Sequence, residues 1–168
     1  MNQDLNKKRH FELLNYNKRR HLELFKYSQD LKQQGKSIHN ESRKDYLELL
    51  KYSAMLNRHL YWETRDQYLE LLNEFMEGKI DITEFCDTFC RRSELNDEAV
   101  DMLNSNLILL SPHEKSIKFS NFMGQIFDYC EVCNGDREPL RESYEIGHTE
   151  FRHLVEKVYF SLQKFLEE

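Results

Sequence analysis

Proline and glycine are scarce in this sequence, with two prolines and five glycines among 168 residues. These residue types most often end helices and form tight turns, so their scarcity predicts an all-α protein with few breaks. The chain also lacks any apolar run near the ~20 residues that a membrane-spanning helix needs. Its first nine residues lack the apolar segment of a secretory signal. We therefore expect a cytoplasmic protein, or one of an organelle stroma if the gene is organellar.

Sequence motifs of catalysis are missing as well. The sequence has neither a glycine-rich phosphate loop nor a serine in a nucleophile elbow. Its seven histidines are scattered, and we expect His21, which belongs to the repeat described below, to lie on the surface. Neighbouring carboxylates such as Asp97 and Glu98 have no feature that would make one an acid and the other a base. We expect a non-enzymatic protein that binds no cofactor.

The four cysteines form two pairs, Cys86 with Cys90 and Cys130 with Cys133. Four thiolates can hold a zinc ion, and thiols close in space can form a redox pair. However, both pairs lie largely on the apolar stripes of predicted helices, where cysteine behaves as a small apolar residue. Of these three interpretations we favour free thiols packed in the core, and we predict no metal site.

The segment 71–92 is typical of two helices joined by a tight corner. Apolar residues recur with helical period on both sides of it. Gly78 stands where a helix end needs a residue with positive φ, and Asp81 with Glu84 three residues later matches a capping box. The residues to which we assign a structural role at this corner are Gly78, Lys79, Ile80, Asp81 and Phe85.

An internal repeat extends through the first sixty residues. The segment 10–16, with the sequence HFELLNY, returns in degenerate form at 21–27, 46–52 and 68–73. The first step of eleven residues equals three helical turns, which keeps the apolar clusters on one side of a helix. We predict helices at about 4–34 and 42–60, separated near Gly35.

The rest of the chain predicts a helical bundle. After a helix at about 82–92, Asn96 is a candidate cap for a short helix at about 97–105. Ser111 followed by Pro112 predicts the start of another helix, and the apolar stripe at 151–166 predicts the last one. We therefore predict a helical, repeat-containing N-terminal extension at 1–61 and an antiparallel four-helix bundle at 62–168.

Charge is divided unevenly along the chain. Residues 1–60 contain 13 Lys and Arg against 7 Asp and Glu, whereas residues 61–168 contain 11 against 23. Such acids can simply keep helix faces solvated, but grouped carboxylates can also imitate a phosphate backbone and occupy the cleft of a basic protein. We therefore expect a basic protein partner, and neither direct nucleic-acid binding nor a membrane span. The predicted partner-binding residues are Glu84, Asp87, Glu94, Asp97, Glu98, Asp101, Asp136, Glu138 and Glu142.

The corner sequence at 75–85, Phe-Met-Glu-Gly-Lys-Ile-Asp-Ile-Thr-Glu-Phe, resembles the signature of the colicin D immunity protein family. The segments 140–141, 151–155 and 162–166 are similar to the end of that family's sequences, so the resemblance covers about 68–168. It implies a small helical bundle that blocks a tRNA-cleaving nuclease toxin with acidic side chains and catalyses nothing. The residues that carry over from the family, as structural ones only, are Gly78, Lys79, Ile80, Glu84 and Phe85.

The N-terminal repeat leaves a second interpretation open. The family lacks such an extension, and repeated helices can dock a protein to a larger complex. The alternative function is therefore a structural or assembly subunit that binds its complex through the repeat helices.

Overall fold

The computed structural model describes residues 17–106, 113–133 and 145–168, without the side chains of residues 18 and 101–106. Every extended secondary-structure element in these ranges is an α-helix, which confirms the predicted all-α class. None of the described helices is long and apolar enough to cross a membrane. The helices are α1 (Lys18–Gln33), α2 (Ile38–Glu41), α3 (Arg43–Glu63), α4 (Arg65–Met76), α5 (Ile82–Asn106), α6 (Ser116–Val132) and α7 (His148–Glu167).

The corner between α4 and α5 has the geometry that its sequence predicts. Gly78 has a φ of 72°, and the N–H of Lys79 donates to the carbonyl of Glu74 at 2.9 Å. This bond is the one by which a left-handed glycine closes a helix end. At the start of α5, Asp81 Oδ1 accepts from the N–H of Glu84 at 2.9 Å. The predicted positive φ and the predicted acidic N-cap are both confirmed.

Helix α5 is longer than predicted. It continues without a break through residues 93–96, so the predicted helix end near residue 92 and the predicted cap at Asn96 are wrong. Ser93 and Asn96 are only 6% and 7% exposed, and Ser93 Oγ lies 2.6 Å from the hydroxyl oxygen of Tyr61. The packing of these polar side chains outweighs their local preference for helix ends.

The start of α1 also differs from its prediction. Asn17 has extended backbone angles, and its Oδ1 accepts from the N–H of Arg20 at 3.0 Å. Because asparagine is a strong N-cap residue, the helix begins at Lys18. The predicted helix at 4–34 therefore does not pass through Asn17, and the residues before it lie outside the described ranges. The predicted separation near Gly35, which has a φ of 70°, is confirmed.

The start of α6 lies further along the chain than predicted. Residues 113–115 form a turn, in which His113 Nδ1 accepts from the N–H of Lys115 at 3.1 Å. This side-chain bond competes with helical pairing of the backbone, and α6 begins only at Ser116. Pro112 is therefore not the first residue of this helix, and Ser111 and Pro112 themselves lie outside the described ranges.

The chain divides into two compact units. Of the described residues, the first unit contains 17–60, 96–106 and 113–117, and the second contains 61–95, 118–133 and 145–168. Residues 96–106 and 113–117, which belong to the predicted bundle domain, thus group with residues 17–60.

The first unit has a small core between α1 and α3. Leu24, Tyr52 and Met55 are buried together. His21 is 2% exposed and stacks on Tyr52, with ring centroids 5.2 Å apart. The predicted surface position of His21 is therefore wrong, because its flat ring packs against an aromatic neighbour.

Arg20 adds a charged connection between the same two helices. Its Nη2 lies 2.6 Å from Asp45 Oδ1 and 3.1 Å from Glu48 Oε2. The hydrogen bond to Glu48 is the main cause of a raised pKa of Arg20. Tyr52 donates its hydroxyl hydrogen to Glu48 Oε1 at 3.3 Å, and burial followed by the charge of Glu48 raises the pKa of Tyr52.

The second unit has a larger, aromatic core. Phe75 and Phe85, from the two helices that meet at the corner, stack with ring centroids 4.5 Å apart. Phe151 of α7 contacts Phe85 edge to face at 6.0 Å. The buried members of this core come from α4 to α7 and from the end of α3: Trp62, Tyr68, Leu71, Leu72, Phe75, Phe85, Phe89, Phe119, Met123, Ile126, Cys130, Phe151, Val155, Val158, Leu162 and Phe165.

Candidate functional site

The acidic residues predicted on α5 are exposed. Glu84, Asp87 and Glu94 of the second unit are spaced by three and seven residues, which keeps them on one side of the helix. None of these three carboxylates forms an ion pair with a described residue. They are therefore available to cations or basic side chains from outside.

The other predicted acids divide between the first unit and the undescribed residues. Asp97 and Glu98 are exposed in the first unit. Asp97 Oδ1 accepts from Asn57 Nδ2 at 2.6 Å, so this carboxylate has an internal partner. The side chain of Asp101 and the whole of Asp136, Glu138 and Glu142 lie outside the described residues.

A second acidic surface, absent from the predicted partner-binding residues, lies on α4 in the second unit. An open groove of about 470 Å³ follows the side of α4 that faces away from the core. We call it the α4 groove. The residues that line it are Asp66, Leu69, Glu70, Asn73, Glu74, Glu77 and Lys79. Four of these seven are acids, so the groove is strongly anionic.

The carboxylates of the α4 groove are paired to different degrees. Glu77 Oε2 lies 2.6 Å from Lys79 Nζ, and this hydrogen bond is the main cause of a raised pKa of Lys79. Asp66 Oδ1 lies 3.7 Å from Arg65 Nε. Glu70 forms no ion pair with any described residue, and it is exposed. The middle of the groove therefore carries the least compensated negative charge.

A signal for this surface was present in the sequence. Asp66, Glu70 and Glu74 recur every four residues, which places them on one side of a helix. These acids alternate with the apolar residues of the repeat, and they are less densely spaced than the acids after residue 84 on which the prediction was based. The spacing does not predict the concave shape of the surface, because that shape depends on the corner, which brings Lys79 beside Glu77.

A second pocket in the same unit is lined by three of the four cysteines. It has a volume of about 230 Å³ and is lined by Ile82, Thr83, Cys86, Asp87, Cys130, Cys133 and His148. We call it the thiol pocket. All four cysteines are free thiols; Cys130 is buried and the other three are half-buried against the aromatic core. Within the described residues, no group of three or more His, Cys, Asp and Glu side chains is placed to hold a metal ion.

Three of the thiols interact directly. A hydrogen bond from Cys130 lowers the pKa of Cys86, while burial and the charge of Asp87 oppose this shift. The pKa of Cys130 is strongly raised, first by the same hydrogen bond and then by burial. Burial is also the main cause of a raised pKa of Cys90. Cys86 is therefore the most acidic of the three.

Comparison with known proteins does not add to these observations. Neither protein-family models nor curated proteins nor solved structures gave a match to this chain. The resemblance to the colicin D immunity protein family therefore stays a prediction that depends on the corner sequence.

Proposed function

We propose that the protein is a non-enzymatic binding module whose acidic second unit binds and blocks a basic protein, with a tRNA-cleaving nuclease toxin as the expected partner. The observation that carries this proposal is the α4 groove, in which four carboxylates line one concave surface. A groove of this kind can receive the lysine or arginine side chains with which a nuclease holds the phosphates of its substrate.

The electrostatics of the second unit support this proposal. Glu70 in the α4 groove, and Glu84, Asp87 and Glu94 on α5, are exposed and have no ion pair with a described residue. Uncompensated charge of one sign accelerates the encounter with a partner of the opposite sign, by about 10- to 1,000-fold. The same charge repels nucleic acid, which supports a protein rather than an RNA as the ligand.

The corner sequence supports the more specific part of the proposal. The segment that resembles the colicin D immunity protein family also supplies Glu77 and Lys79 of the α4 groove. The proposal includes the finer fold that the resemblance implies, in which α4 to α7 form an antiparallel four-helix bundle. It also includes a cytoplasmic location, where an immunity protein meets a toxin that attacks tRNA.

The test is charge reversal in the α4 groove. We expect the Glu70→Lys, Glu74→Lys variant to bind the isolated nuclease domain of a colicin D-type toxin much more weakly than the wild type and to lose inhibition of its tRNA cleavage. The matched control is Asp30→Lys, Glu41→Lys, which makes the same change in net charge at exposed residues of the first unit. Retained inhibition by the groove variant, or equal loss in the control, would refute the role of the α4 groove.

The kinetics of binding provide a further test. For the wild-type chain, the association rate should fall steeply as salt increases from low concentration to about 0.15 M, where the screening length is about 8 Å. The groove variant should have a slow association rate with little salt dependence, because fewer charge pairs guide the encounter. The dissociation rate should respond less to salt than the association rate does.

A specific observation also favours the alternative function. Leu47 and Leu50 of α3 lie three residues apart, within one copy of the repeat, and are 53% and 46% exposed. An assembly subunit could bury these side chains in its complex. If Leu47→Glu, Leu50→Glu abolishes the incorporation of the protein into a large complex in its host, whereas the α4 groove variant does not, the assembly function is the correct one.

A further inference from the structure

The thiol pocket is a second site, and of its lining residues only Asp87 has a part in the proposed binding function. It is separate from the α4 groove, since the two share no lining residue. Its walls come from the start of α5, the end of α6 and the start of α7. Three of its seven lining residues are cysteines, a concentration that core packing alone does not require.

Two of these cysteines have complementary positions. Cys86 is half-buried, so its sulfur can be reached by a small molecule in the pocket, whereas Cys130 is only 9% exposed. Both thiols line the same pocket, and each is the other's main partner among the described side chains. The hydrogen bond favours the thiolate of Cys86 and the protonated form of Cys130. One group is thus suited to attack an oxidant, and the other to supply a proton and a second sulfur.

We infer that the thiol pocket is a site of reversible oxidation by hydrogen peroxide or a small alkyl hydroperoxide, in which Cys86 is the reacting thiol and Cys130 the resolving thiol. The product is a disulfide between α5 and α6. The pocket has a volume of about 230 Å³, which leaves room for a peroxide of this size.

The reaction has two steps. In the first, the thiolate of Cys86 attacks one peroxide oxygen, the O–O bond breaks, and Cys86 becomes a sulfenic acid. The second oxygen leaves as hydroxide, or as alkoxide from an alkyl hydroperoxide, and takes a proton to form water or an alcohol. In the second step, Cys130 Sγ attacks Cys86 Sγ, the S–O bond breaks, and the thiol proton leaves with the hydroxide as water. The peroxide gains the two electrons that the two thiols lose.

The geometry of α5 explains why Cys90 is not the resolving thiol for Cys86. Residues four apart on one helix have Cβ atoms about 5–6 Å apart, whereas a disulfide needs about 3.5–4.5 Å. A Cys86–Cys90 bond would therefore distort the helix. Cys90 also does not line the thiol pocket. Cys130, by contrast, lies on a different helix and lines the same pocket as Cys86.

The experiment is peroxide treatment of the purified full-length chain, followed by alkylation of the remaining thiols and peptide mass mapping. We expect a disulfide between Cys86 and Cys130 that dithiothreitol reverses. In Cys130→Ser, a dimedone-type reagent should label Cys86 as sulfenic acid, because the second step is blocked. Cys90→Ser is the matched control and should form the disulfide at the wild-type rate.

The decisive comparison is the rate of oxidation. Cys86→Ser should lower the rate of thiol loss by at least about tenfold, since Cys86 combines a lowered pKa with access from the pocket, whereas the pKa values of Cys90 and Cys130 are raised. Far-UV circular dichroism checks that each variant is folded, and Cys86→Ala provides a second variant if Cys86→Ser is not. A disulfide that omits Cys86, a Cys86→Ser rate equal to that of the wild type, or four cysteines that react at similar rates would overturn the inference.

Discussion

Gly78 provides a quantitative test of the corner. Its φ is 72°, and a Cβ atom built there would meet no atom within 4 Å. The effect of Gly78→Ala therefore comes from the backbone alone, because the substitution creates no steric clash. A left-handed backbone costs a residue with a Cβ about 1–2 kcal/mol. We expect Gly78→Ala to lower the free energy of unfolding by that amount.

The matched control is Gly124→Ala in the same unit. Gly124 lies within α6, and its Cβ would likewise meet no atom within 4 Å. Here alanine improves on glycine by about 0.8–1 kcal/mol of helix propensity. The same chemical change should therefore destabilise the unit at Gly78 and stabilise it at Gly124.

Urea unfolding followed by far-UV circular dichroism measures both effects. With a denaturant slope of about 2 kcal/mol/M, the midpoint should fall by roughly 0.5–1 M for Gly78→Ala and rise by roughly 0.4–0.5 M for Gly124→Ala. Gly78→Asn should lie between Gly78→Ala and the wild type, because asparagine tolerates this conformation. Shifts of the same sign for the two alanine variants would refute the reasoning.

Three further predictions use the same unfolding assay. Phe85→Ala should cost about 3–5 kcal/mol, because Phe85 is fully buried, whereas Leu95→Ala, at a residue that is 55% exposed, should cost less than about 0.5 kcal/mol; equal losses would contradict the assigned core. Arg20→Ala should lower the urea midpoint, whereas Arg19→Ala, which removes an exposed pair within α1, should not; equal shifts would contradict the connection between α1 and α3. The pKa of Tyr52 is raised in the folded state, so the folded state loses stability as pH rises above about 10, where the phenol of the unfolded chain ionises first. Tyr52→Phe should reduce this loss, and an unchanged profile of stability against pH would contradict the prediction.

Local features of the fold could be predicted from the sequence. The φ of Gly78 and the cap formed by Asp81 could be predicted because glycine is strongly preferred just after a helix and aspartate is strongly preferred at its N-cap. The apolar stripe of α7 was also correct, since Phe151, Val155 and Leu162 are all fully buried. In each case the signal lies within a few residues of the structure that it specifies.

Features that depend on distant residues could not be predicted in this way. The helix end predicted near residue 92 was wrong because Ser93 packs against Tyr61, which comes from another helix. His21 looked like a surface residue because the ring on which it stacks, Tyr52, belongs to a different copy of the repeat. The contact between Cys86 and Cys130 likewise joins two helices, and spacing along the chain contains no information about it.

The core position of Trp62 has a spectroscopic consequence. The chain has one tryptophan, which is 8% exposed and contacts Phe119 edge to face at 5.8 Å. Its fluorescence therefore reports on the second unit alone, whereas circular dichroism sums the helices of both units. If the two units unfold separately, the emission curve follows only the second, and its difference from the dichroism curve isolates the first. The native sequence thus contains a unit-specific optical probe without any label.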